Sequence, residues 1–289
     1  MLRIPPLGKG ITAVLLFGSV PCTIRYIELD SIAIGVVRLL IAAIGLYFLI
    51  RAKLAWDPSA YSKREWIMTA LGGIIFGLHW LFYFLGIKLA SASLGALGFS
   101  TYGIQLILLG WLLRLNPVHP RHVLGVMLAV SGSILIIPEF SLESELTIGL
   151  LSGFLSGTFY ALLPVLHKRN SRVPDDVRAC GQFAFALLIF VPLIPFSNFK
   201  APLFDWSLVV YLGVVVTLIA HTLWVHASTA LPTTTTSIVS YLYLPAAIFL
   251  SWLLIDEDLT GRMLLGAGLI LTGNLIGLDK EEQKAKTSA

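Results

Sequence analysis

Three side chains with chemistry of their own lie where the chain is otherwise apolar: Arg38, His79 and His221. An imidazole titrates near neutral pH, so either histidine is a candidate proton carrier; the plainer alternative is a hydrogen bond between two helices. A guanidinium in a hydrocarbon setting costs at least roughly 2.5–3.5 kcal/mol, so Arg38 should face protein or a wet cavity. There it would serve a carboxylate or phosphate ligand, unless it is tied to helix-end carbonyls or to Glu28 or Asp30. Trp80 and Tyr83 follow His79, Trp224 follows His221, and Tyr160 stands between them in sequence. Rings of this kind can stack on a flat or cationic ligand. Polar groups also concentrate in two stretches, Ser91 to Gln105 and Thr233 to Tyr243, the second followed by Pro245. Of these, Tyr102, Gln105, Tyr241 and Tyr243 read as a cavity wall, and the small Ser and Thr residues as helix–helix glue. Pro245 removes a backbone donor and is expected to kink its helix. The candidate binding set is therefore Arg38, His79, Trp80, Tyr83, Tyr102, Gln105, Tyr160, His221, Trp224, Tyr241 and Tyr243.

Other chemistries find no support. The run Asp256-Glu257-Asp258 is too short to cage a metal and reads as a helix boundary. Cys22 and Cys180 make neither a disulfide framework nor a metal cluster. There is no Gly-x-x-x-x-Gly-Lys phosphate loop, no His-Glu-x-x-His zinc motif and no Gly-x-Ser-x-Gly elbow. No catalytic residue, metal or cofactor is expected, and no ATP-driven step.

The elements that must hold these side chains are membrane helices. Hydrophobic residues make up 57% of the chain and charged residues 12%, against about 25% charged in soluble domains. The mean hydropathy is +0.87. The formal charge of +4 reads as anchoring charge at a membrane face, not as a nucleic-acid surface. A helix needs roughly 20 apolar residues to cross the hydrocarbon core. Ten stretches qualify: 10–28, 32–51, 66–87, 92–114, 121–138, 147–167, 178–197, 207–227, 234–254 and 262–278. With the N-terminus inside and ten crossings, fifteen basic residues, among them Arg51, Lys63, Arg121, Arg172 and Lys280, fall on the inner face. Only Arg25, Lys88, Lys200 and Arg262 fall outside, the asymmetry of the positive-inside rule. Trp66, Trp111, Trp206 and Trp252 sit near span ends, as an interfacial belt would place them. Gly73-x-x-x-Gly77, Gly149-x-x-x-Gly153 and Gly273-x-x-x-Gly277 read as close helix crossings.

The chain also repeats itself. Trp111, Arg121, Gly125, Leu128 and Gly132 recur 141 residues later as Trp252, Arg262, Gly266, Leu269 and Gly273. Five spans per half is odd, so the second half should sit upside down, Arg121 inside and Arg262 outside, giving an inverted repeat.

Leu15-Leu16-Phe17-Gly18-Ser19 with Arg38 in the next helix, Pro245, and the turn from Leu253 through Asp256-Glu257-Asp258 to Thr260 carry a family resemblance. The chain resembles the EamA type of the drug/metabolite transporter (DMT) superfamily. The usual Leu-Gly-Glu turn has Asp256 in place of Gly here. Arg114-Leu115-Asn116-Pro117 in the first half lacks the acidic residue. The resemblance implies an all-α polytopic membrane protein, ten transmembrane helices as two inverted five-helix repeats over 1–140 and 146–280, with a polar cytoplasmic tail at 281–289. It implies a cavity walled by spans 1–4 and 6–9, with spans 5 and 10 peripheral.

The expected function is an inner-membrane secondary transporter with cytoplasmic termini that exports a small metabolite, amino acid or drug by alternating access. Proton antiport through His79 or His221 is the expected coupling. The expected partners are a small-molecule substrate, the lipid bilayer and protons. No nucleic acid is expected, and the chain should be a monomer or weak homodimer. An importer or exchanger of a nutrient or nucleotide-like metabolite is the alternative. An intramembrane enzyme on a lipid substrate would want clustered carboxylates or a Cys/His pair, which the sequence does not offer.

Overall fold

A computed structural model of the chain describes residues 4–53, 57–112, 119–136, 141, 143–231 and 239–276. All regular structure among these residues is helical. Helices α1 (Pro6–Tyr26), α2 (Ser31–Lys53) and α3 (Lys63–Leu89) are long and apolar enough to cross a bilayer. So is α7 (Glu145–Arg169), through His167. Helix α8 (Asp175–Phe190) reaches the same length with the 3-10 segment Val191–Phe196. Helix α9 (Leu203–Tyr211), a π-helical stretch Leu212–His221 and α10 (Thr222–Ala230) form one continuous rod of that kind. Shorter apolar helices are α4 (Ala92–Ser100), α5 (Tyr102–Leu112), α6 (Pro120–Ile136), α11 (Tyr243–Ile255) and α12 (Gly261–Ile276). The lengths and composition make this a multi-pass membrane protein. The turn at 114–117, Glu139, residues 233–237, the side chain of Trp111, Gly277 and the tail 281–289 lie outside the described residues.

One expectation about helix shape is corrected. The stretch 92–114 is not one rod. It breaks at Thr101, whose hydroxyl donates to the Gly98 carbonyl (2.7 Å). The Ser100 carbonyl, released from the ladder, accepts from Asn274 Nδ2 of α12 at 3.0 Å. A freed carbonyl in lipid must find such a partner. The stretch 234–254 is interrupted where Pro245 is expected to act: Val239 and Ser240 are helical, Tyr241 and Leu242 form a turn, and α11 starts at Tyr243 with Pro245 in its first turn, so the Tyr241 carbonyl has no N–H four residues on.

The bundle has two polar ends. At one, Arg25 donates to the Lys88 carbonyl (2.5 Å), and Lys88 Nζ donates to the Ile27 carbonyl. Asp205 accepts from the Glu28 amide at 2.7 Å. Asp30 N-caps α2 through the Ile32 and Ala33 amides (2.8 and 2.9 Å) and also accepts from the Ser197 hydroxyl and Asn198 amide. Burial pushes the Asp30 carboxyl up, but these donors outweigh it and hold it below the usual range. Glu257 completes this end by accepting from the Ser93 amide (3.1 Å) and hydroxyl (3.0 Å) at the start of α4. The acidic turn is thus a helix boundary, and a cap for a helix in the other half.

At the opposite end the start of α3 meets the end of α7. Asn170 Nδ2 donates to the Glu65 carbonyl (3.2 Å) and the Thr69 hydroxyl (3.0 Å), and Arg172 pairs with Glu65 at 3.6 Å. His226 of α10 meets Asp176 of α8 there at 2.8 Å.

Between the ends, small residues bring the helices together. The α6–α12 crossing is antiparallel and swaps equivalent residues. A methyl at Gly132 would meet the Gly266 carbonyl at 2.6 Å, and one at Gly273 the Gly125 carbonyl at 2.5 Å. Gly73 and Gly77 seat α3 on α8, and Gly149, Gly153 and Gly157 seat α7 on α3, α4 and α5. These glycine rows do the packing work expected of them.

Candidate functional site

Midway along the bundle, residues of α1, α2, α3, α4, α5, α7, α10, α11 and the π stretch line a cavity of about 60 Å³, room for roughly four waters. Nine of the eleven candidate residues line it: Arg38, His79, Trp80, Tyr83, Tyr102, Tyr160, His221, Trp224 and Tyr243. They come from both halves of the chain.

Arg38 is fully buried, 1% exposed. Neither snorkelling nor pairing with Glu28 or Asp30 accounts for it. Its Nε donates to the Thr217 hydroxyl at 3.1 Å, and that hydroxyl donates in turn to the Leu212 carbonyl five residues back (2.7 Å). The guanidinium lies over Trp80, 4.2 Å from the ring centroid, with Phe84 at 5.4 Å. Nη1 is buried and has no hydrogen-bond partner among the described residues.

The π stretch explains a discrepancy in the repeat. His79 plus the 141-residue offset falls on Ala220, one place short of His221. A π-helical turn takes up an extra residue and rotates the remainder of the helix. The two imidazoles therefore reach one cavity and share a neighbour, Phe76, at 5.8 and 5.4 Å between ring centroids. His79 Nδ1 lies 2.7 Å from the Ser156 hydroxyl of α7. His221 packs on Phe17 at 4.5 Å.

Phenols tie the two halves across the cavity. Tyr83 and Tyr243 share a hydrogen bond, and Tyr102 donates to the Ser240 hydroxyl. Phe99 is the hub of the aromatic wall, within 5.2–5.4 Å of His79, Tyr83, Tyr102, Tyr160 and Tyr243. Phe99 and the other apolar lining residues, such as Phe17 and Phe84, are not among the sequence candidates. A phenylalanine in an apolar helix carries no signal of which way it faces.

Gln105 and Tyr241 lie apart from this group. Gln105 Nε2 donates to the Thr101 hydroxyl (2.8 Å) and the Phe154 carbonyl (3.0 Å), bracing the break between α4 and α5 against α7. Tyr241 donates to the Asn274 carbonyl at 3.3 Å on α12. The helix break absorbs both side chains. No group of three or more His, Cys, Asp or Glu side chains suited to a metal ion occurs among the described residues.

The model of the EamA-like transporter family matches this chain twice, over residues 7–137 and 147–277. An uncharacterised transporter of Bacillus subtilis, YxxF, is 24% identical over 97% of this chain and 92% of its own length. An uncharacterised transporter of Archaeoglobus fulgidus is 26% identical, covering 85% of this chain and 88% of its own. A crystal structure described only as that of a protein superposes with a TM-score of 0.67 at 21% identity, over 93% of this chain and 95% of the other. That likeness speaks for the fold alone.

Proposed function

The chain belongs to the EamA-like transporter family, and from this membrane-transporter premise we propose a secondary carrier that moves a small solute through the central cavity by alternating access. The two moving parts are inverted five-helix halves, 1–140 and 146–280, with the tail 281–289 and both termini on the cytoplasmic side of the inner membrane. The α6–α12 crossing supports the inversion: Gly125 meets Gly273 and Gly132 meets Gly266, the exchange of equivalents that a twofold axis in the membrane plane demands. The pairing of α1 with α11 and of α7 with α5 supports it too, since the repeat offset exchanges these contacts.

The observation that carries the function is the cavity itself. It lies at mid-bundle, is lined from both halves, and gathers the polar and aromatic side chains that lipid-facing helices would not need. At about 60 Å³ it has room for a few waters between the two sets of helices. Export is the direction proposed, with a proton moving the other way through His79 or His221, both of which reach the cavity.

Purified protein in liposomes tests this directly. Saturable solute flux is expected. Trp224→Ala, in the cavity wall, should reduce it about tenfold or more. Trp252→Ala, on a ring half exposed at the bundle surface, should leave it unchanged. Equal flux in both variants would remove the cavity from the pathway.

A further inference from the structure

We propose that the cavity selects a small organic monoanion, a carboxylate on a flat apolar body, with Arg38 as its counter-charge. This rests on the transport reading and names the substrate class of the same site. Arg38 is an almost wholly buried cation, and no carboxylate stands within 4.0 Å of it among the described residues. A charge taken out of water needs a partner, and a single opposite charge completes a charge-assisted pair. Nothing in the lining supplies one: it contains neither Asp nor Glu. The hydroxyls of Tyr83, Tyr243, Tyr102 and Ser240 are already engaged with one another, and Arg38 Nε is engaged with Thr217. Nη1 is a buried donor left without a partner among the described residues, on a residue that lines the cavity.

The surrounding rings, taken without Arg38, would make a cage for an organic cation. Arg38 already occupies that role over Trp80 and Phe84. A second cation would meet like charge in a site without a compensating carboxylate. One guanidinium matches one negative charge, and the remaining wall, with Phe17, Phe99, Tyr160 and Trp224, offers faces to a flat body.

The test is thermal unfolding of the purified full chain in detergent, titrated with phenylacetate, acetate, benzyl alcohol, benzylamine and phenyl phosphate. Phenylacetate should stabilise the fold saturably and bind at least about tenfold more tightly than acetate or benzyl alcohol. Benzylamine should not stabilise it, and phenyl phosphate should do so less than phenylacetate. Arg38→Gln should erase the preference for phenylacetate over benzyl alcohol, and Arg38→Lys should keep it. The proposal is overturned if benzylamine or phenyl phosphate binds as well as phenylacetate, or if phenylacetate does not bind. A folded Arg38→Gln variant that keeps the preference would also overturn it. Should Arg38→Gln not fold, the wild-type probe series and Arg38→Lys decide. Phenylacetate binding without flux in liposomes would sink the transport reading and leave this one. Flux of amines alone would do the reverse.

Discussion

Arg38 and Gln105 are both polar groups that lipid would reject, and the bundle treats them differently. Thr217 satisfies one nitrogen of Arg38, and Trp80 and Phe84 cover its face, yet Nη1 is left over. Gln105 is equally conspicuous in the sequence and also keeps a buried atom, Oε1, without a partner, but its amide nitrogen ties it to Thr101 and Phe154 and it does not line the cavity. Residue type alone does not separate the two cases. The imidazoles carry a prediction at this scale. His79 faces Tyr83, Tyr160 and Ser156, His221 faces Phe17 and Trp80, and Arg38 lines the same cavity. If one of them carries the coupling proton, wild-type flux should rise with an opposing proton gradient. His79→Gln or His221→Gln should make it indifferent to that gradient. Unchanged gradient dependence in both variants would remove the histidines from coupling.

Elements act here mainly through their irregularities. The break at Thr101, the π stretch Leu212–His221 and the left-handed Asp256 each re-aim a helix, and each has a local partner that supports it. Asp256 ends α11 at φ 49°, a conformation that suits glycine and costs an L-residue about 1 kcal/mol. The next residue, Glu257, caps α4 from across the bundle. Asp256→Gly should therefore raise the midpoint of thermal unfolding. Glu257→Ala should lower it by the loss of a cap, about 1–2 kcal/mol. A Glu257→Ala variant as stable as the parent would show that the Ser93 contact adds nothing.

At the scale of the whole molecule, the proposed antiparallel duplication has a consequence for sidedness. The start of α3 and the end of α7 meet at one end through Asn170, Arg172 and Glu65, and Lys88, Asp30 and Asn198 gather at the other. In a variant with Cys22 and Cys180 replaced by Ser, cysteines placed at Ala60 and Ser171 should react with an impermeant thiol reagent from the same side of the membrane. A cysteine at Lys200 should react from the opposite side. Ala60 and Ser171 labelling from opposite sides would break the inverted arrangement.

Much of this is legible in the sequence because hydrophobicity and covalent repetition are one-dimensional. Apolar run lengths foretell where the long helices lie to within a few residues. The 141-residue offset relates the glycines that meet at the α6–α12 crossing, and the glycine spacings of α3 and α7 foretell close crossings. Charged and polar groups in lipid are expensive, which is why nine of the eleven candidates line one cavity. What the chain does not disclose is direction across space. Whether Phe99 points inward, whether Tyr241 braces α12 or faces the cavity, and whether a one-residue slip keeps His221 in line with His79 depend on helix rotation. That rotation is set by a break, a π stretch and neighbouring glycines acting together, and only the packed bundle decides it.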